Sequence, residues 1–271
     1  MNDAPDFKAA TDTQQKMWSK GDFAEVAHLV VPVSETLAAA LELVPDERVL
    51  DVACGSGNGA IAAARRTWSG ATGADFVPAL LERARERAAA ERLDVEFVEA
   101  DAQNLPFEDA SFDVTMSIFG VMFAPDHQKG AEELLRVTKP GGRIGVASWC
   151  PDGGLQDFFA AIVKHTGGPP PGTPPVLWGD EGHVRELFGD SVSDLRAERL
   201  KARQAFRSAE HYIDFFRSYF GPIKTAFEAV GPEGEAELTA DLERVLDDLS
   251  VGGQRALVVE PEYLQVIAAR A

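Results

Sequence analysis

Three glycines at alternate positions, Gly55, Gly57 and Gly59, directly follow an apolar segment that carries one acid, Asp51. Glycine reaches backbone conformations closed to other residues and, having no Cβ, lets a ligand lie against the main chain. Backbone N–H groups and the start of the next helix then form a binding surface. The pattern predicts a strand, a turn and a helix that bind a nucleotide-like cofactor, although a tight turn without a ligand would use the same glycines.

The spacing of the glycines discriminates between cofactors. A dinucleotide fingerprint, G-x-G-x-x-G, leaves two residues between its second and third glycines, so that pyrophosphate lies on the helix N-terminus. This chain has G-x-G-x-G instead, which disfavours an NAD-dependent oxidoreductase. Twenty residues after Gly55, a short predicted strand ends in Asp75. An acid at this distance binds the ribose in nucleotide-binding βαβ units, so Asp75 is predicted to do so here.

Two further predicted strands end in residues of suitable chemistry. The strand over residues 95–100 runs into Asp101, and the strand over residues 112–118 runs into an aromatic segment. A helix over residues 128–138 then stops at Lys-Pro-Gly-Gly before a strand over residues 144–149. Strands that alternate with helices predict a parallel sheet covered by helices on both faces.

These motifs resemble the class I S-adenosylmethionine (SAM) dependent methyltransferases over roughly residues 45–150. The resemblance implies a Rossmann-like, doubly wound α/β fold with seven strands, the last one antiparallel, and a helical insertion. It implies methyl transfer from SAM to a small-molecule acceptor by in-line displacement, leaving S-adenosylhomocysteine. It also places the acid after the third strand, with its neighbour, beside the adenine. The cofactor-binding residues expected on this basis are Asp51, Ala53, Gly55, Gly57, Asp75, Phe76, Asp101, Ala102, Gln103, Ser117, Ile118 and Trp18.

The acceptor is less defined than the cofactor. The sequence D-A-x-N-L-P-F at residues 101–107 is similar to that of ubiquinone and menaquinone C-methyltransferases, which favours an aromatic or quinone-like acceptor. A shared cofactor motif does not establish a shared acceptor. A non-catalytic protein that binds SAM or its demethylated product, as a sensor or partner subunit, would carry the same motif and is the alternative.

The chain is expected to divide into four parts. Residues 1–44 form an N-terminal helical cap, residues 45–206 the SAM-binding core, residues 207–250 a helical insertion that serves as a lid, and residues 251–271 the strands that complete the sheet. A loop rich in proline and glycine over residues 167–175 is expected to be an exposed connector.

Aromatic residues are concentrated in the insertion, and their helical spacing places most of them on one face. This face either packs on the protein's own core or forms an apolar wall over the acceptor. With the aromatic residues after the fourth strand, the candidate acceptor-binding residues are Phe119, Phe123, Phe216 and Tyr219. In the N-terminal segment, Trp18 and Phe23 either close the methionine end of the cofactor site or anchor a helix on the sheet.

Catalysis of this kind requires little from the protein, because SAM carries an activated methyl group and alignment lowers most of the barrier. A general base is needed only if the acceptor must lose a proton early. The candidates are His28, His127 and His211, none within a motif. For His127 a solvated position in the first turn of a helix is the favoured interpretation. The sequence has no His/Cys cluster with metal-ligand spacing, so no metal is expected.

Composition restricts partners and location. A net charge of −18 over 271 residues would be repelled by nucleic acid. The sequence has no uninterrupted run of about 18 apolar residues, so no membrane span is expected. The N-terminus has no basic, apolar leader, and two cysteines fit a reducing compartment. We therefore expect a cytoplasmic monomer or homodimer.

Overall fold

The computed structural model describes residues 7–68, 70–167 and 172–271. Parts of two predicted segments, residues 1–6 of the cap and residues 168–171 of the proline-rich loop, lie outside the described residues. The central element is a seven-stranded sheet with strand order β3-β2-β1-β4-β5-β9-β6. Its strands are β1 (Val49–Val52), β2 (Ala71–Asp75), β3 (Val95–Glu99), β4 (Phe112–Ile118), β5 (Thr138–Trp149), β6 (Val192–Lys201) and β9 (Glu262–Arg270).

The direction of the strands confirms the predicted doubly wound fold. β1, β2, β3, β4 and β5 are parallel neighbours, whereas β9 lies antiparallel between β5 and β6. The strand order reverses between β1 and β4, and in such sheets ligands bind in the crevice at the carboxyl ends of the strands on either side. The topology therefore predicts a ligand-binding site at the carboxyl ends of β1, β2 and β4.

Helices cover both faces of the sheet and form a layer above one end of it. Their bounds are α1 (Phe7–Trp18), α2 (Phe23–Ala27), α3 (Val31–Ala40), α4 (Asn58–Thr67), α5 (Pro78–Ala90), α6 (His127–Val137), α7 (Gln156–Thr166), α8 (Glu181–Phe188), α9 (Ala209–Tyr219) and α10 (Gly221–Leu249). Inside α10, Gly231 has φ 63° and is followed by Pro232, so the helix is kinked there.

The last part of the predicted division needs a correction. Only β9 joins the seven-stranded sheet, because β8 (Leu257–Val259) pairs with β7 (Gln204–Phe206) in a separate two-stranded sheet. These two short strands stand at either end of the α9–α10 pair and satisfy each other's backbone hydrogen bonds. The structural unit that contains the insertion thus runs from residue 204 to residue 259, and residues 251–271 do not all complete the main sheet.

The segment Phe23–Ala40 is, by length and composition, apolar enough to cross a membrane, with a mean hydropathy of 1.3. It is not one continuous α-helix, because a 3₁₀ turn at residues 28–30 separates α2 from α3. Leu37 and Ala38 are fully buried in the main core, and a Cβ at Gly145 of β5 would meet the Leu37 side chain at 3.1 Å. The segment therefore packs on the core through one face, and 39% of it is buried.

Candidate functional site

A cavity opens at the carboxyl ends of β1, β2, β3 and β4 and encloses about 610 Å³, including the part open to solvent. We call it the cofactor cavity. Its lining comprises Thr11, Trp18, Phe23, Ala53, Gly55, Asp75, Phe76, Val77, Leu80, Ala100, Asp101, Ala102, Gln103, Phe119, Gly120, Phe123, Ala124 and Pro125.

The turn after β1 depends on left-handed backbone conformations. Gly55 has φ 54° and Gly57 has φ 83°, values that glycine adopts without steric cost. Two non-glycine residues at the cavity, Ala53 (φ 53°) and Phe119 (φ 51°), share this conformation at the ends of neighbouring strands. Close approach of the chains is visible at Gly120, where a Cβ would lie 2.5 Å from the Ala53 carbonyl oxygen. Local strain of this kind is concentrated at functional sites.

Asp75 connects the second strand to the glycine turn. Its carboxylate accepts hydrogen bonds from the Gly55 N–H at 2.8 Å and from the Val77 N–H at 2.9 Å. Each carboxylate oxygen has a second lone pair, so the group retains acceptor capacity toward the cavity. Burial raises the pKa of this carboxyl to about 6. It is therefore a largely ionised acceptor at neutral pH.

Asp101 and Gln103 form the rim of the cavity on the β3 side. Asp101 Oδ1 accepts from the Gln103 N–H at 2.9 Å, and the Gln103 amide donates to Thr11 Oγ1 in α1 at 2.9 Å. The same amide accepts from the Asp126 N–H at 3.0 Å. Gln103 thus connects α1 with the segment before α6, which makes it a positioning residue for the rim.

Comparison with known proteins shows the family of this chain. Residues 49–142 match the family model described as a methyltransferase domain. The chain is 41% identical over 261 residues to an uncharacterised protein of Mycobacterium tuberculosis strain H37Rv, covering 94% of this chain and 93% of that protein. It is 43% identical over 174 residues to a demethylmenaquinone methyltransferase of Thermus thermophilus, covering 61% of this chain and 75% of the relative.

The fold is also shared with solved methyltransferases. One is a geranyl diphosphate C-methyltransferase from Streptomyces coelicolor, solved in complex with S-adenosyl-L-homocysteine. It has a TM-score of 0.53 and 17% sequence identity, over 89% of this chain and 79% of that one. This chain belongs to the class I SAM-dependent methyltransferases. It is therefore an enzyme, and SAM is its cofactor.

The residues present fit SAM. The cavity combines an acidic strand end at Asp75, a second acid at Asp101 and a turn in which Gly55 presents no side chain. A Cβ at Gly55 would lie 3.5 Å from the Phe23 ring, so a larger side chain would fill the space between the turn and the cap. Of the predicted cofactor-binding residues, those that line the cavity are Trp18, Ala53, Gly55, Asp75, Phe76, Asp101, Ala102 and Gln103.

Two of the predicted cofactor-binding residues, Gly57 and Ser117, do not line the cofactor cavity. The Gly57 N–H donates to the Cys54 carbonyl, and a Cβ there would meet the Phe97 ring at 3.0 Å. A larger residue at Gly57 would therefore disturb the packing of the turn on β3 and would not enter the cofactor cavity. Ser117 Oγ donates to the Val52 carbonyl at 2.7 Å and accepts from the Val121 N–H at 2.8 Å. Both residues shape the site without facing it.

Asp51 and Ile118, the other two predicted residues, line a smaller adjoining cavity behind the glycine turn. Asp51 Oδ2 accepts from the Ala60 N–H at 2.8 Å, whereas Oδ1 is buried and has no hydrogen-bond partner among the described residues. Burial raises the pKa of this carboxyl from 3.8 to about 7. A buried carboxylate with only one hydrogen-bonded oxygen lowers the stability of the folded protein. Such a group is expected where the carboxylate binds a ligand.

Asp51→Asn is expected to stabilise the protein without SAM at pH 8. Because the folded-state pKa is raised, the folded state holds this proton more tightly than the unfolded state, so the stability contribution is lost as pH rises through about 7. The amide removes the buried charge and can still accept from the Ala60 N–H. We expect a melting temperature about 2–8 °C higher, equivalent to roughly 1–2 kcal/mol.

Thermal unfolding of the two proteins at pH 5 and pH 8 measures this effect. The advantage of Asp51→Asn should shrink at pH 5, where the parent carboxyl is protonated. A variant that is less stable than the parent at pH 8, or equally advantaged at both pH values, contradicts the assignment. Weaker SAM binding is expected at the same time, because the variant lacks a negative charge beside the site of a cationic cofactor.

None of the three candidate histidines lines the cofactor cavity or the cavity behind the glycine turn. His28 is exposed against the Phe215 ring, and His211 accepts from the Arg207 N–H. His127 begins α6 but is buried, with Nδ1 3.0 Å from His183 Nε2, so the expectation of a solvated position is wrong. Burial lowers the pKa of His127 to about 4, which keeps its ring neutral. The structure therefore gives none of these three histidines a place as general base.

A second cavity, of about 630 Å³, adjoins the cofactor cavity at Trp18, Phe23, Phe119 and Phe123. We call it the apolar cavity. Its lining comes from the cap, the ends of β4 and β5, the start of α7, β7 and α9: Trp18, Phe23, Val26, Leu29, Val30, Phe119, Phe123, Trp149, Leu155, Phe158, Phe159, Gln204, Tyr212, Phe216 and Phe220. No ionised side chain is among them.

Three of the four predicted acceptor-binding residues line the apolar cavity, and the fourth does not. Phe119, Phe123 and Phe216 line the apolar cavity, as the hypothesis of an aromatic wall requires. Tyr219 does not, because it is 37% exposed at the end of α9 and contacts Phe215 on the outer side. The α7 residue Phe158 was missed, since it belongs to no motif and only the tertiary fold brings α7 to this wall.

Proposed function

We propose that this methyltransferase transfers the methyl group of SAM to an aromatic or quinone-like acceptor held in the apolar cavity. One observation carries the proposal: the cofactor cavity and the apolar cavity share Trp18, Phe23, Phe119 and Phe123. Two cavities that adjoin at shared residues suit a donor and an acceptor whose reacting atoms meet at that junction. A protein that only sensed SAM would need one cavity.

The properties of the wall favour a ring-containing acceptor. Phe119 stacks on Trp149 with ring centroids 3.8 Å apart, and Trp18 meets Phe123 edge to face at 4.8 Å. Such surfaces bind aromatic rings through offset and edge contacts. The similarity to a demethylmenaquinone methyltransferase supports the same class of acceptor.

The cap and the α9–α10 pair are proposed to close the site. Gly21 and Gly221 lie where the two segments meet, and a Cβ at either would come within 2.1 Å of a carbonyl oxygen of the opposite segment. Trp18 of the cap packs on Phe220 of the insertion with ring centroids 5.4 Å apart. This tight packing would exclude water from the reacting atoms.

The chemistry that this chain must supply is limited. SAM supplies an activated methyl group on a sulfonium. Tyr212 is the one ionisable residue in the wall of the apolar cavity, and burial raises its pKa well above the usual tyrosine value, so it stays protonated and is not a base. The protein's residues therefore orient the acceptor and exclude water, which suits acceptors that need no protein base, such as an electron-rich ring carbon.

The cellular setting is proposed from composition. Cys54 and Cys150 are buried and free, as in proteins of a reducing compartment. The net charge of −18 is unsuited to nucleic acid. We therefore propose a cytoplasmic monomer or homodimer that acts on a small molecule.

The test is cofactor binding followed by a transfer assay. Calorimetry is expected to show micromolar binding of SAM and S-adenosylhomocysteine and weak or no binding of NAD. Release of S-adenosylhomocysteine should then be highest with naphthols, hydroquinones and phenols, compared with amines and thiols. Turnover restricted to amines or thiols would contradict the proposed acceptor class, and tight NAD binding without SAM binding would contradict the cofactor.

A further inference from the structure

Two polar side chains interrupt the otherwise apolar wall of the apolar cavity. Tyr212 is 4% exposed and Gln204 is 7% exposed, and both line the cavity. In the described part of the chain, neither side chain has a hydrogen-bond partner. Their polar atoms are not among the fully enclosed atoms without a partner, so they remain open to the cavity. A few polar groups in an otherwise apolar cavity fix the orientation of a ligand, and a ligand that displaces their water without replacing its hydrogen bonds loses about 1–3 kcal/mol.

The fold brings the two groups to the same part of the wall. In β7, Gln204 and Phe206 are buried and Ala205 between them is exposed, so the first two share a face of the strand. The Phe206 ring lies 4.8 Å from the Tyr212 ring, centroid to centroid. Tyr212 is in turn stacked on Phe216 at 4.3 Å, which fixes its ring.

The part of the wall that contains Tyr212 and Gln204 does not belong to the cofactor cavity. The four residues that both cavities share are Trp18, Phe23, Phe119 and Phe123, and neither Tyr212 nor Gln204 belongs to that set. Methyl transfer must occur where the two cavities adjoin, beside the shared residues. An acceptor atom that is bound by Tyr212 or Gln204 is therefore held away from the place of methyl transfer.

We propose that Tyr212 and Gln204 bind an oxygen atom of the acceptor other than the atom that is methylated. The inference rests on the proposed function and narrows it to a neutral ring compound that carries a hydroxyl or carbonyl oxygen. The Tyr212 hydroxyl and the Gln204 amide can donate to a carbonyl, and both can accept from a hydroxyl. Specificity arises because an acceptor without the oxygen displaces water from both polar groups and leaves them without a hydrogen-bond partner.

The test compares 1-naphthol with naphthalene, which has the same ring system without the oxygen. Binding of each is measured by calorimetry in the presence of S-adenosylhomocysteine, for the parent protein, Tyr212→Phe and Gln204→Leu. Each substitution is expected to weaken 1-naphthol binding about tenfold and to leave naphthalene binding unchanged or tighter, because naphthalene makes no hydrogen bond to either group. Tyr212→Phe removes a hydroxyl without a partner, so it should fold as the parent does.

Tyr219→Phe is the matched control, because it removes an exposed hydroxyl from the same helix. It should leave both affinities unchanged. If the Tyr212 and Gln204 variants bind 1-naphthol like the parent, or lose both compounds equally, the anchoring role is wrong while the proposed function stands. If the parent binds neither compound and methylates no ring compound, the proposed function and the anchoring role are both overturned.

Discussion

Asp75→Ala is expected to weaken SAM binding by ten- to a hundredfold, roughly 1.5–3 kcal/mol. The substitution removes two contributions to SAM binding. The carboxylate that faces the cofactor cavity disappears, and the Gly55 N–H loses the acceptor that holds the glycine turn at 2.8 Å. Isothermal titration calorimetry with SAM and with S-adenosylhomocysteine measures the effect. Both ligands should lose affinity to a similar extent, because they share the ribose.

Asp75→Asn separates the two losses. The amide retains one oxygen that can accept from the Gly55 N–H or the Val77 N–H, but it lacks the charge and the second oxygen. Its affinity for SAM should lie between those of the parent and Asp75→Ala. Circular dichroism should show both variants folded at 25 °C. Parent-like SAM binding by a folded Asp75→Ala protein would rule out the ribose-binding role.

Phe216→Leu is expected to lower kcat/KM for the ring acceptor about tenfold while SAM affinity changes less than threefold, a difference of about 0.6 kcal/mol. Phe216 lines the apolar cavity and does not line the cofactor cavity. It is also buried in the core of the α9–α10 unit, so Phe216→Ala would cost about 3–5 kcal/mol of stability. Leucine retains most of the volume and removes the aromatic surface.

Tyr219→Leu is the control for this prediction. It lies three residues farther along α9 but is exposed, so it should change neither acceptor turnover nor SAM binding. Initial rates over a range of acceptor concentrations, with SAM saturating, give the first quantity, and calorimetry gives the second. A Phe216→Leu protein that loses SAM affinity as strongly as acceptor turnover would show that the aromatic face of α9 is structural only.

The cofactor half of the site could be predicted from the sequence because its determinants are local. Gly55 and Asp75 are defined by a strand end and a fixed spacing, and a parallel sheet brings successive strand ends together whatever the rest of the chain does. Gly57 shows the limit of that reasoning. The glycine pattern indicates where a Cβ is excluded, but only the packing of Phe97 shows that the excluded volume belongs to the fold and not to the cofactor.

The lining of the apolar cavity was decided by the tertiary structure. Phe158, Gln204 and Tyr212 come from α7, β7 and α9, which have no sequence motif and meet only after the chain has folded. Helical periodicity alone groups Phe216 with Tyr219, yet one is buried at the cavity and the other is exposed. Periodicity reports which residues share a face of a helix; the position of the neighbouring elements determines which part of that face contacts a cavity, the core or solvent.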